Sequence, residues 1–198
     1  MNIEEVIEFV RKKTEENKRP SNYKFRDRFS HIMRVYNWAL KINEIECGNK
    51  EIISLAALFH DSGWDDNIPH GDVSAKIAYD FLKEHNFNES VIDEVVFIVK
   101  NHSLKNKEMS FPKNCSIVMD ADLLDEVGAL SIIWDSMATV VNEKDSATYY
   151  KAYRRITDYF ESNSKKIYRA KTKFGRNEFK RRIEFIQNFI KEMEMEIN

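Results

Sequence analysis

Five histidines occur in this chain of 198 residues, and all fall between positions 31 and 102: His31, His60, His70, His85 and His102. Carboxylates stand where they can join them. Asp61 directly follows His60 in "LFHDSGW", and Asp120, Asp122 and Asp125 cluster in "VMDADLLDEVGA". Neutral imidazole mixed with carboxylate is a donor set for Zn, Fe, Mn or Ni. Taken singly, each residue has an ordinary reading. A histidine at a helix end is commonly a cap or a surface group, His-Asp dipeptides arise by chance, and aspartates near a helix start are favourable partners of the dipole. The joint order is less ordinary. His31 is followed 29 positions later by a His-Asp pair closing the apolar run "IISLAALF", and then by a distal aspartate that also follows an apolar run. Burying imidazole and carboxylate beside such runs is costly unless something compensates, and a divalent cation is the simplest partner.

The elements that must position these groups read as helices. Ile3, Val6, Ile7 and Val10 share one helical stripe. After a polar, basic connection, Ser30 is placed to cap a second helix carrying Ile32, Val35, Tyr36, Ala39 and Ile42, which the glycine of "CGNK" would close. Residues 50–61 form a third helix, apolar nearly all round and therefore expected to be central, with His60 and Asp61 at its tip. Residues 62–69 are a loop broken by Gly63 and Pro69. Further helices are expected at about 71–85, 89–101, 115–141, 146–163 and 172–196, the last with Phe179, Ile183, Ile186, Ile190 and Met193 in register. The three aspartates would then open the sixth helix. No alternating strand pattern is evident. The expectation is an all-α, single-domain bundle of about eight helices over residues 1–198, with a motif-bearing core at about 28–142 and C-terminal helices at 146–196 packed on it.

Bulk composition narrows the classes. Hydrophobic residues make up 42% and charged residues 32%, a globular mixture, and the net charge of -2 argues against a polymeric nucleic-acid partner. Scarce Gly and Pro, 5 and 3 in all, favour long helices. The two cysteines, Cys47 and Cys115, lie far apart in no metal-binding spacing, as expected of reduced thiols in a cytoplasm. "MNIEEVIEFVRKK" lacks the pattern of a signal peptide, and no apolar stretch is long enough to span a membrane, so a cytoplasmic location is expected. No GxSxG, P-loop or Rossmann glycine pattern is present, and neither cysteine has the surroundings of a nucleophile.

The order His31, His60-Asp61, Asp122 resembles the HD-domain superfamily of metal-dependent phosphohydrolases. "LAALFHDSGW" is similar to its second motif and "DADLLDEVGA" to its last, over about residues 28–142, while "TKFGRNEFKRRIEFI" is similar to the closing helix of small bacterial HD hydrolases. The resemblance implies a divalent metal (Mn, Fe, Mg, Ni or Zn) held by His31, His60, Asp61 and Asp122, with Asp122 preferred over Asp120 because the family motif reads Ala-Asp-x-Leu. Asp120 would support the ligands from behind. His70 and His102 are similar to the two extra histidines of branches that bind a second ion, which Asp61 would then bridge; the alternative is that they contact substrate phosphate. One ion or two therefore stays open. Two-metal relatives often carry a lysine three residues after the Asp of the pair, and this chain has Trp64 there, which weighs against transferring their cyclic-dinucleotide specificity, as does the lack of a GYP-like motif.

The implied activity is hydrolysis of a phosphate ester or anhydride of a small molecule, a nucleotide by analogy. A bound divalent ion lowers the pKa of water and polarises phosphoryl oxygens. Asp61 would hold the ion and orient water, and Asp65, with Asp66 next to it, matches an acidic residue that acts as acid or base in some relatives. Arg34, one turn after His31, together with Lys105 and Arg176, would bind substrate phosphate, with Arg26 and Arg28 adding to a basic rim and Arg182 matching the family tail. Phe25, Phe29, Trp38 and Trp64 are candidates for a base-binding wall, although core packing explains such residues as well. Two other classes compete: a non-haem di-iron oxygenase on the same scaffold, and a non-catalytic nucleotide-binding regulatory module.

Overall fold

The structure, a computed structural model, describes residues 2–17, 20–104 and 109–197. Among the described residues there are nine α-helices and no strand: α1 (Ile3–Glu16), α2 (Arg28–Glu46), α3 (Lys50–Phe59), α4 (His70–Glu84), α5 (Glu89–Asn101), α6 (Lys113–Asp125), α7 (Ala129–Glu143), α8 (Tyr149–Ser164) and α9 (Lys173–Ile197). Short 3-10 turns at Lys144–Ser146 and Ile167–Arg169 lead into α8 and α9. No helix of the described residues is long and apolar enough to cross a membrane.

Two helices form the centre. Every residue of α3 from Ile52 to Phe59 is buried, as its all-round apolar sequence predicts. The other is α6, where Cys115 to Ala121 and Leu123 to Asp125 are buried. Around them α2 lays down the stripe Ile32, Val35, Ala39 and Ile42, and α1 contributes Val6 and Val10. Phe9, Phe59 and Phe81 pack their rings at tilted angles where α1, α3 and α4 meet. A second, smaller apolar cluster of Ile132, Ile156, Ile186 and Ile190 joins α7, α8 and α9.

Several local expectations are revised. Asp27, not Ser30, caps α2: its carboxylate accepts the Ser30 N–H at 2.7 Å, so the helix begins two residues earlier than the serine. Cys47, not Gly48, takes the left-handed conformation (φ 56) that ends α2. The long helix expected at 115–141 is two helices. Gly128, at φ 126, breaks it in a backbone region that side chains with a Cβ avoid. That break also moves Asp120, Asp122 and Asp125 from a helix start to the last turns of α6. There the dipole no longer favours them, because a helix C-terminus carries partial negative charge.

Candidate metal centre

Three helices aim their C-terminal ends at one point. His60 caps α3, His102 caps α5, and Asp122 lies in the last turn of α6. Each end brings partial negative charge, and Asp61 and Asp122 add formal charge, so the site has a strong demand for a cation. The N-terminal turns of α2 and α4 supply His31 and His70. Gly71 allows the approach of α4 to α5: a Cβ there would come within 2.7 Å of the Lys100 carbonyl oxygen. The next loop is tied to α4 by the buried bond from Gly63 N–H to Ser74 Oγ at 3.0 Å.

The ligand atoms form two overlapping groups. In the first, His31 Nε2 lies 3.1 Å from His60 Nε2, 3.4 Å from Asp122 Oδ1 and 3.9 Å from Asp61 Oδ2. In the second, His70 Nε2 lies 3.3 Å from His102 Nε2 and 3.5 Å from Asp61 Oδ1, with His102 Nε2 at 3.6 Å from that oxygen. Asp61 thus turns one oxygen to each group. Two ligands each at roughly 2.1 Å from one ion stand about 3.0–3.4 Å apart, so these separations fit a metal. His31, His60 and Asp122 form one three-residue set, and His60, Asp61 and His102 another.

The rear nitrogens are already committed. His60 Nδ1 donates to the Ala57 carbonyl at 2.8 Å, His102 Nδ1 to the Val99 carbonyl at 2.7 Å, and His31 Nδ1 to Asp125 Oδ2 at 2.7 Å. A carbonyl only accepts, so Nδ1 of His60 and of His102 carries the hydrogen and Nε2 keeps its lone pair facing inward. His60 Nε2 faces His31 Nε2 at 3.1 Å, a separation that a proton on His31 or a cation between the two makes favourable.

Electrostatics show the same demand for positive charge. Burial resists protonation of His31, but Asp122 and Asp125 outweigh it and push its pKa up to about 10. Burial pulls His60 down to about 4, leaving it neutral and ready to ligate. Burial should raise Asp122, yet His31 and the charges around it hold it down at about 2, and Asp61 is held well below the usual carboxylate range by His102 and His60.

Asp125 is a supporting residue to which the sequence reading assigned no role. It is 7% exposed, holds His31 from behind and takes a two-pronged bond from Arg34, at 2.7 Å from Nε and 2.9 Å from the terminal nitrogen. The signal was available: it stands three residues after Asp122, on the same helical face. Asp120 is fully buried and faces away, accepting the Lys171 and Thr172 N–H groups, each at 2.7 Å, so it anchors the entry to α9. Burial raises its pKa against those two donors.

A cavity of about 1170 Å³ opens from the metal-binding groups. His31, Asp61, His70, His102 and Asp122 line its floor, and Arg26, Arg28, Arg34, Trp134 and Arg169 line its walls. Trp134 carries two guanidinium groups, Arg26 at 4.5 Å and Arg34 at 5.2 Å from the ring centre. Nothing in the sequence pattern marked Trp134, because only the break at Gly128 turns α7 toward the cavity.

Other expected site residues lie elsewhere. Asp65 is exposed, accepts the Asn67 N–H at 2.8 Å and is not among the cavity-lining residues. Asp66 takes the Trp64 indole N–H at 3.3 Å. Arg176 turns onto the Ala170 and Lys171 carbonyls at 3.3 and 2.9 Å and braces the start of α9. Arg182 bonds the Val127 carbonyl at 3.0 Å and stacks on Trp38. Lys105 lies outside the described residues.

Comparison with known proteins agrees with this architecture. An HD-superfamily hydrolase from Bacillus thuringiensis superposes with a TM-score of 0.74 at 24% identity, covering 98% of this chain and 95% of that one. YpgQ of Bacillus subtilis in complex with ADP superposes with a TM-score of 0.68 at 24% identity, covering 99% and 98%. These likenesses establish the fold. Among curated proteins, the bifunctional uridylyltransferase/uridylyl-removing enzyme of Vibrio atlanticus is 34% identical over 77 residues, 39% of this chain and 8% of that protein. The chain therefore spans under a tenth of that relative's length. The model of the HD domain matches residues 28–126, which include all six candidate ligands. By that match, which covers half of its length, the chain belongs to the HD domain family, whose membership supports a metal-dependent phosphohydrolase.

Proposed function

We propose that the protein hydrolyses a phosphate ester or anhydride of a small molecule, a nucleotide, at a centre held by His31, His60, Asp61 and Asp122, with His70 and His102 able to hold a second ion. The observation that carries this reading is the Asp61 carboxylate, with one oxygen turned to His31 and the other to His70 and His102. When bound, a divalent ion supplies a Lewis acid for phosphoryl oxygens and lowers the pKa of water at the site. The chain's own groups do the rest. Asp125 keeps the His31 Nδ1 proton and so directs Nε2 inward. Arg34, fixed by Asp125, presents positive charge to the cavity beside the ligands. Two features support a nucleotide: the wall formed by Trp134 with its arginines, and the ADP bound by the YpgQ relative.

Elemental analysis of wild type and His60→Ala, paired with a Mn2+-supplemented phosphate-release screen over nucleotides and sugar phosphates, tests this. The expected result is metal-dependent release that disappears with the metal in the variant. No metal in reconstituted wild type would sink it. The four-histidine, two-aspartate set also suits a pair of irons, which favours a second reading as a di-iron oxygenase. Copurifying iron with oxygen uptake and no phosphate release would move the assignment there.

A further inference from the structure

The cavity wall holds a positive charge that the metal centre does not use. Arg34 stands on Trp134, but Asp125 takes both prongs of its guanidinium, so that charge is matched. Arg26 stands on the same ring, is exposed, and makes no ion pair among the described residues. Asp135, the buried carboxylate that senses Arg26, is already bonded to Arg155 at 3.1 Å.

Arg26 is also held in place. Its N–H bonds the Tyr23 carbonyl at 2.9 Å, and Asp27 next to it caps α2. The Tyr23 hydroxyl reaches across to Asn142 Oδ1 of α7 at 3.1 Å, and its ring packs near Phe25. The Tyr23 bond thereby ties the 20–27 segment to α7, with Arg26 above Trp134. An unbroken series of contacts runs outward from the metal-binding floor: His31 to Asp125, Asp125 to Arg34, Arg34 to Trp134, Trp134 to Arg26. Asp125 neutralises Arg34, so Arg26 is the guanidinium on this ring whose charge no carboxylate among the described residues pairs, and an anion entering the cavity can take it.

We propose that Arg26, seated on Trp134, is an anion subsite for a second phosphate of the ligand, beyond the one at the metal centre, so that the cavity selects diphosphate-bearing molecules over monophosphates. This rests on the phosphohydrolase reading for its link to catalysis, but not for binding itself. A guanidinium bonded to phosphate makes charge-assisted hydrogen bonds, and losing one set weakens binding about tenfold to a hundredfold.

The test is calorimetric titration of the metal-loaded protein with methylenediphosphonate, which is not hydrolysed, and with inorganic phosphate. Wild type, Arg26→Gln and Lys24→Gln are compared; Lys24→Gln makes the same charge change on another exposed lining residue. Arg26→Gln should weaken methylenediphosphonate about tenfold or more while phosphate changes less than about twofold and Lys24→Gln stays near wild type. Equal weakening of both ligands, wild-type affinity in Arg26→Gln, or no preference for the diphosphonate in wild type overturns the subsite. If the subsite behaves as expected but no phosphorylated compound is turned over, the hydrolase reading fails and the subsite stands. If turnover occurs but diphosphonate affinity ignores Arg26, the reverse holds.

Discussion

Replacing Asp125 by asparagine separates holding the fold from holding the metal. The side chain keeps its shape and loses its charge. Asp125 accepts from His31 at 2.7 Å and from Arg34 at 2.7 and 2.9 Å. Each charge-assisted bond contributes roughly 1.5–3 kcal/mol when buried. The Arg34 side chain is 33% exposed, so water recovers part of what it loses. A net destabilisation of about 2 kcal/mol is expected, discounted for that exposure. Metal affinity should fall further than stability suggests, by about 10–100-fold, because Nδ1 of His31 loses the carboxylate that raises its basicity and fixes its ring.

The pH dependence has a definite sign. Burial would raise the Asp125 pKa, but His31 and Arg34 bring it below 3.8. A carboxylate with a depressed pKa stabilises the fold above its unfolded value and loses that contribution as the pH falls through the folded one. The stability gap between wild type and Asp125→Asn should therefore be full at pH 7 and close only below about pH 4. Urea denaturation of chelator-treated protein reads the first quantity, and competition against a fluorescent chelator reads the second. A variant that is less stable yet binds metal within twofold of wild type would refute the reasoning, since Asp125 would then be a strut for Arg34 alone.

Other outcomes can be checked with simpler measurements. Asp61→Asn should lower metal content more than His102→Ala, because Asp61 turns one oxygen to each ligand group whereas His102 faces one; equal losses by elemental analysis would show that the groups do not share it. Gly128→Ala should cost about 1–3 kcal/mol in urea melts, since φ 126 suits only glycine while a Cβ would meet nothing closer than 3.5 Å; unchanged stability would mean that the α6–α7 break tolerates another conformation. Burial pushes the Cys115 thiol up to about 12, whereas Cys47 is exposed. A disulfide reagent at pH 8.5 should accordingly titrate one thiol in native protein and two in guanidinium. Because the Cys115 pKa is raised above its ordinary 9.0, its contribution to stability is intact below that pH and is lost between 9 and 12.

Much of the protein was determined by local pattern. Apolar residues at helical spacing place α1, α2, α5 and α9, and an all-round apolar run marks α3 as central with His60 and Asp61 at its tip, because burying such a run is the dominant gain in folding. The order of His31, His60, Asp61 and Asp122 along the chain became a ligand set through its resemblance to the HD-domain superfamily, whose motif also chose Asp122 over Asp120. Tertiary structure decided the rest. Whether the aspartates began or ended α6 turned on one residue, Gly128, whose backbone conformation depends on the packing of both flanking helices. The roles of Arg34, Asp125 and Asp120 depend on partners 91, 94 and 51 positions away, which no periodicity encodes. Arg176 was a candidate phosphate ligand from its place in the tail that resembles small HD hydrolases, but the nearby carbonyls of Ala170 and Lys171 claimed it. Trp134 carried no signal in the sequence, and it is a cavity wall because α7 turns it beneath Arg26. Burial and periodicity act through neighbours along the chain and can be read from it; charge pairing acts through space and required the fold.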